Sequence, residues 1–216
     1  ETAATINERA AAVDREYFTA TNAMGGTYTT YYAHNLNFIV YARAMQGRKA
    51  DTLQAANALI AGVGPMGQTM PEMADAFLAI PALAYTRFGE WDRILKLPEP
   101  VAAMPASRAT WHYARTVALL ARGDRAGAER ERINFDVLRK NIPADAPWGQ
   151  NKARNVLEMA AATLSARLER APEEAGRHWE RAVSLQDGFI YDEPPAWYYP
   201  VRESQGAALL RAGKAS

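Results

Sequence analysis

Four glycines stop a helical pattern that resumes within a few residues. They are Gly47 in Ala44-Met45-Gln46-Gly47-Arg48-Lys49-Ala50, Gly89 in Thr86-Arg87-Phe88-Gly89-Glu90-Trp91, Gly123 in Leu120-Ala121-Arg122-Gly123-Asp124-Arg125, and Gly213 in Leu210-Arg211-Ala212-Gly213-Lys214-Ala215. A helix that ends by turning back needs a residue in the left-handed conformation, which glycine adopts without a Cβ clash. The beat therefore predicts an all-α chain, an α-solenoid of antiparallel helical hairpins with irregular repeats and long loops. The steps are 42 residues from Gly47 to Gly89, 34 from Gly89 to Gly123 and 90 from Gly123 to Gly213, and the last leaves room for one hairpin closed without glycine.

Apolar periodicity places the elements. Helical hairpins are expected at about 32–62, 71–96, 107–140 and 151–186, with terminal helices at about 4–21 and 197–212, together forming one domain over 1–216. Ile6, Ala10, Val13, Tyr17 and Phe18 share a face of the first helix, and Leu36, Ile39, Val40 and Ala44 share one in the next. Breaks are expected at Met24-Gly25-Gly26-Thr27, at Pro98, Pro100 and Pro105, and at Pro143, Pro147 and Gly149. Tyr28–Tyr32 is β-prone but short. The segment from Asp187 to Pro195 is the longest irregular stretch. The first helix has no visible partner and the hairpin after Gly213 is unfinished, so the chain reads as a segment of a longer repeat protein or as one whose missing helix a neighbour supplies, the alternative being that the last helix packs back on the body and caps it alone.

Composition excludes several classes of function. Lys and Arg number 25 against 24 Asp and Glu, a balance that gives no field for nucleic acid or an anionic membrane. Apolar runs fall short of the roughly 20 residues of a membrane helix, so no membrane insertion is expected. The absence of cysteine excludes disulfides, thiolate zinc sites and a cysteine nucleophile, and a soluble protein of either cytoplasm or periplasm fits. There is no Walker loop, G-x-S-x-G or H-E-x-x-H, and Gly62-Val63-Gly64 with Gly67 lacks the strand that a dinucleotide fingerprint needs. No catalytic residue, metal ligand or cofactor is assigned.

Two segments carry the candidate ligand-binding residues. In Tyr31-Tyr32-Ala33-His34-Asn35-Leu36-Asn37-Phe38 and the Tyr41 that follows, the imidazole of His34, the amide of Asn37 and the phenol of Tyr41 read as a polar strip, or else His34 and Asn35 cap the helix N-terminus. In Tyr191-Asp192-Glu193-Pro194-Pro195-Ala196-Trp197-Tyr198-Tyr199-Pro200, two carboxylates precede a rigid Pro-Pro and an aromatic run. Asp192 or Glu193 could hold a ligand cation, join His34 on a metal, or cap the last helix. Trp111-His112-Tyr113 and His178-Trp179 read chiefly as packing.

These segments resemble a group of bacterial tetratricopeptide-repeat proteins that share Tyr-x-x-His-Asn-x-His-Phe and Asp-Glu-Pro-Pro-x-Trp-Tyr-Tyr-Pro. The likeness spans nearly the whole chain and departs at Asn37, where the group usually has histidine. It implies stacked hairpins whose first helices present their second, fifth and ninth positions to a concave groove. Counting back from Gly47 puts His34, Asn37 and Tyr41 there, and counting back from Gly123 adds Tyr113.

The expected function is a scaffold that binds a protein or peptide in that groove, through Tyr32, His34, Asn35, Asn37, Tyr41, Tyr113, Asp192, Glu193, Trp197 and Tyr198. The groove is rich in aromatics and poor in lysine, so an acidic tail is not its natural ligand. The alternatives are a small-molecule or metal site, with catalysis left open, where the His34 segment meets the Asp192–Tyr199 loop, and self-association through the unfinished end.

Overall fold

The computed structural model describes residues 1–22 and 27–214. Met24, Gly25 and Gly26 of the first expected break lie outside the described residues. The described residues are all-α apart from one hairpin of two two-residue strands. Its elements are α1 (Thr2–Thr21), α2 (Thr27–Met45), α3 (Lys49–Val63), α4 (Met66–Thr69), α5 (Pro71–Arg87), α6 (Trp91–Lys96), α7 (Pro105–Ala121), α8 (Arg125–Asn141), β1 (Pro147–Trp148), β2 (Asn151–Lys152), α9 (Ala153–Leu168), α10 (Pro172–Asp187) and α11 (Val201–Arg211). They fall into two compact units, Glu1–Arg108 and Ala109–Ser216, divided within α7.

All four beat glycines have φ between 69° and 82°. Each closes its helix with the same pair of hydrogen bonds. After α2, Arg48 N–H donates to the Arg43 carbonyl (2.9 Å) and Gly47 N–H to Ala44 (3.0 Å), the two bonds of a Schellman motif. The pair recurs as Glu90 to Tyr85 with Gly89 to Thr86, Asp124 to Leu119 with Gly123 to Leu120, and Lys214 to Leu209 with Gly213 to Leu210. At Gly47, Gly89 and Gly123 the next helix starts two residues on, its first N–H bonded to the glycine carbonyl. The glycine beat is thus one turn built three times, and a fourth time as far as Lys214.

Around Gly123 an added Cβ would meet nothing within 4 Å, so only its φ of 82° demands glycine. Gly123→Ala is therefore expected to cost about 1–2 kcal/mol, the left-handed penalty of an L-residue. Chemical denaturation reads this directly, and an unchanged midpoint would contradict the role given to the glycine.

The α9–α10 connection closes without glycine. There the Glu169 carboxylate accepts from the N–H groups of Arg170 (2.7 Å) and Ala171 (2.9 Å), and Pro172 starts α10 with its φ already helical. Those two N–H donors hold the Glu169 carboxyl below its usual range.

In the first unit α1 and α2 pack together, α2 pairs with α3, and α5 lies against both α2 and α3. The β-prone stretch Tyr28–Tyr32 is helical instead. Helical spacing puts Tyr28 and Tyr32 one turn apart, so both rings reach Phe18 at 5.7 Å; this packing overrides local propensity. A Cβ on Gly62 would come within 2.7 Å of the Tyr32 ring, so that glycine serves close helix packing. Arg43, 4% exposed, is held by a bidentate pair of 2.7 Å bonds to Glu8. Asp75 of α5 accepts from the N–H groups of Ala106 (2.9 Å) and Ser107 (2.6 Å), satisfying the start of α7.

In the second unit α9 is buried on nearly every side and α10 packs along it. The final helix starts at Val201, four residues later than expected. Tyr199 precedes a proline, which disfavours helical backbone, and Trp197 and Tyr199 are turned inward.

Candidate functional site

The predicted site residues fall into two groups, one in each unit. In the first unit they lie on α2, well inside the helix, so His34 and Asn35 are not caps. Tyr32 is buried under Phe18 and Gly62 and belongs to the core. Asn35 donates through Nδ2 to the buried Asp14 carboxylate of α1 (2.9 Å), a tie between two helices. His34, Asn37 and Tyr41 follow at i, i+3 and i+7 and so share one face. His34 is exposed, and Asn37, Phe38 and Tyr41 are half-buried. The His34 ring stands edge-on to Phe38 at 4.8 Å, and neither His34 nor Asn37 makes a hydrogen bond among the described residues. The only basic residue of α2 is Arg43, already committed to Glu8.

In the second unit the Asp192–Tyr199 loop is pinned at several points. Asn151 exchanges two 2.9 Å hydrogen bonds with the Ile190 backbone. The Asp192 carboxylate accepts from Gln150 N–H (2.8 Å) beside Gly149, whose φ is positive. It is a turn-fixing group. Glu193 is exposed and takes the Tyr191 hydroxyl. Gln186 clips the far end, donating to the Tyr199 carbonyl (3.0 Å) and accepting from Val201 N–H (2.7 Å).

Thus anchored, the loop buries Trp197 and Tyr199 and leaves Tyr198 half-buried between them. Trp197 is 2% exposed and meets the fully buried Tyr113 of α7 edge-to-face at 5.3 Å. Tyr198 lies 5.0 Å from the Trp197 ring and 4.7 Å from Tyr199. Tyr113, Trp197 and Tyr198, separated by more than 80 positions, therefore come together in one cluster.

Sequence reasoning overlooked the centre of that cluster. Arg167 of α9 donates from Nη2 to the hydroxyls of Tyr199 (3.3 Å) and Ser204 (3.4 Å), and its guanidinium faces the Trp179 ring at 5.4 Å. Thr163, one turn earlier, donates to the Tyr113 hydroxyl (3.3 Å). Two N–H groups are buried with no acceptor, Arg167 Nε and Trp197 Nε1. Burial, and then the neighbouring tyrosines, push the Tyr198 phenol well above its usual range, and Tyr199 shifts the same way. Both are therefore neutral hydroxyls at pH 7. Nothing in the sequence marks Arg167: three residues after Met159-Ala160-Ala161-Ala162-Thr163-Leu164, it reads as an ordinary arginine near a helix end.

No protein-family model matches this chain, and neither does any curated protein or solved structure. No helix among the described residues is long and apolar enough to cross a membrane.

Proposed function

We propose that the chain is a helical-hairpin binding module of the tetratricopeptide kind, which takes an extended peptide of a partner protein across the accessible face of α2. The observation that carries this reading is the pair His34 and Asn37. Both are polar, both share a face with Phe38 or Tyr41, and neither side chain makes a hydrogen bond among the described residues. An imidazole and a carboxamide offer donors and acceptors to peptide amides, and the neighbouring rings offer apolar contact. The recurrence of one Schellman-closed turn supports the repeat character. With Arg43 occupied by Glu8, α2 itself offers no free Lys or Arg to an acidic tail, so a neutral or basic peptide suits it better.

Random-peptide display on the whole chain tests this. Enriched peptides are expected to bind His34→Ala/Asn37→Ala about tenfold or more weakly, the worth of two neutral hydrogen bonds. Failure to enrich any peptide, or equal binding by a folded double variant, would overturn it.

A further inference from the structure

We infer that the Arg167 cluster of the second unit is an anion site, suited to the carboxylate of a ligand with a flat apolar body. This rests on different residues from the α2 reading and stands or falls without it.

The charge on Arg167 has no counterpart. Four other arginines with largely covered side chains each hold a carboxylate: Arg43 with Glu8, Arg115 with Glu131, Arg132 with Asp136 and Arg139 with both Asp136 and Glu158. Arg167 makes no ion pair among the described residues, and its only acceptors are two hydroxyls at 3.3 and 3.4 Å. Guanidinium stays protonated at any ordinary pH, so burial cannot neutralise it. An uncompensated cation in a covered position is costly, and a native fold that keeps one has a use for it.

The unused hydrogen bonds are all donors. Nε of Arg167 and the indole N–H of Trp197 are buried with no acceptor, and Nη1, on a half-buried side chain, makes no hydrogen bond among the described residues. A guanidinium presents five N–H groups in a planar fork that matches a carboxylate in bidentate fashion. A trapped water could accept from one N–H, but would leave the charge unbalanced. Trp179 faces the guanidinium and the Tyr199 hydroxyl accepts from it, and Tyr198 and Trp197 continue the ring cluster from Tyr199; aromatic walls of this kind favour a planar organic acid over a strongly hydrated inorganic ion.

Benzoate titrated into the whole chain, followed by tryptophan fluorescence and the indole N–H resonances, tests the assignment. The expected result is saturable binding that shifts the Trp197 indole signal, with no binding of the neutral isostere benzamide. Arg167→Met is expected to weaken benzoate at least about tenfold, as loss of a charge-assisted hydrogen bond does. Arg167→Lys, which keeps the charge, recovers part of it. Trp197→Phe removes the unsatisfied donor and part of the indole but keeps a six-membered ring in the cluster, so it is expected to fold and to bind benzoate several-fold more weakly; it carries the test should Arg167→Met not fold. Absence of saturable benzoate binding would overturn the inference. So would equal binding of benzamide, undiminished binding by both Arg167→Met and Trp197→Phe, or a site that takes inorganic phosphate and refuses benzoate.

Discussion

Trp197→Ala is expected to destabilise the second unit by about 3–5 kcal/mol, the cost of deleting a buried aromatic that its surroundings cannot refill. The indole is almost wholly covered and packs on Tyr113 and Tyr198. The loop that delivers it is pinned on both sides, by Asn151 at Ile190 and by Gln186 at Tyr199 and Val201, so the backbone cannot readily follow a shrinking side chain. Trp197→Phe separates packing from hydrogen bonding. It keeps most of the ring contact and discards an N–H that has no acceptor, so its cost is expected to stay below about 1.5 kcal/mol. Urea denaturation of the two variants measures both terms. Equal losses, or a small loss for alanine, would show that the aromatic cluster does not hold the loop.

Glu131→Ala ranks second, at about 2–3 kcal/mol at neutral pH. Glu131 of α8 accepts from the Arg115 Nε (2.7 Å) and contacts the buried His112 Nδ1 (2.6 Å), both on α7. Removing the carboxylate takes the acceptor from both at once. The expected cost sits below the ~3–5 kcal/mol of a fully buried pair because Arg115 keeps some solvent. The same contact carries a pH signature. Burial alone would raise the Glu131 carboxyl, but the hydrogen bonds from His112 and Arg115 outweigh it and hold it below the usual range. A carboxyl depressed in the folded state stabilises above its unfolded pKa, and that stability is lost as pH falls through the folded value. The gap in denaturation midpoint between the wild type and Glu131→Gln should therefore narrow as the pH is lowered from about 5 to 3. A gap independent of pH would contradict the assignment.

The fold was legible where backbone conformation leaves a chemical mark. A left-handed residue at a helix end selects glycine, so Gly47, Gly89, Gly123 and Gly213 announced their turns, and the span after Gly123 did contain a hairpin closed by other means. The signal failed where side-chain packing decides. Tyr28 to Tyr32 have strand propensities, yet the rings of Tyr28 and Tyr32 are needed a helical turn apart beside Phe18. Trp197 to Tyr199 follow a helical pattern but precede Pro200 and are drawn inward before the helix can begin.

The site divides in the same way. Trp197 and Tyr198 were visible as an aromatic run after Pro194-Pro195 and Tyr113 through its count back from Gly123, whereas Asn35 and Asp192 turned out to serve the scaffold through Asp14 and Gln150. Arg167 was hidden because an arginine in a helix ordinarily reads as surface. Only the tertiary contacts reveal that its neighbours are hydroxyls and rings, with no acid among them.

The claim that α2 presents the binding face is tested most directly by amide hydrogen exchange on the whole chain, with and without a display-selected peptide. At a peptide concentration one hundred times its Kd, amides of residues 33–45 that exchange by opening of the bound state should slow by up to about 100-fold. Exchange in residues 109–214 should be unchanged. Slowing confined to residues 109–214, with α2 unaffected, would contradict the account.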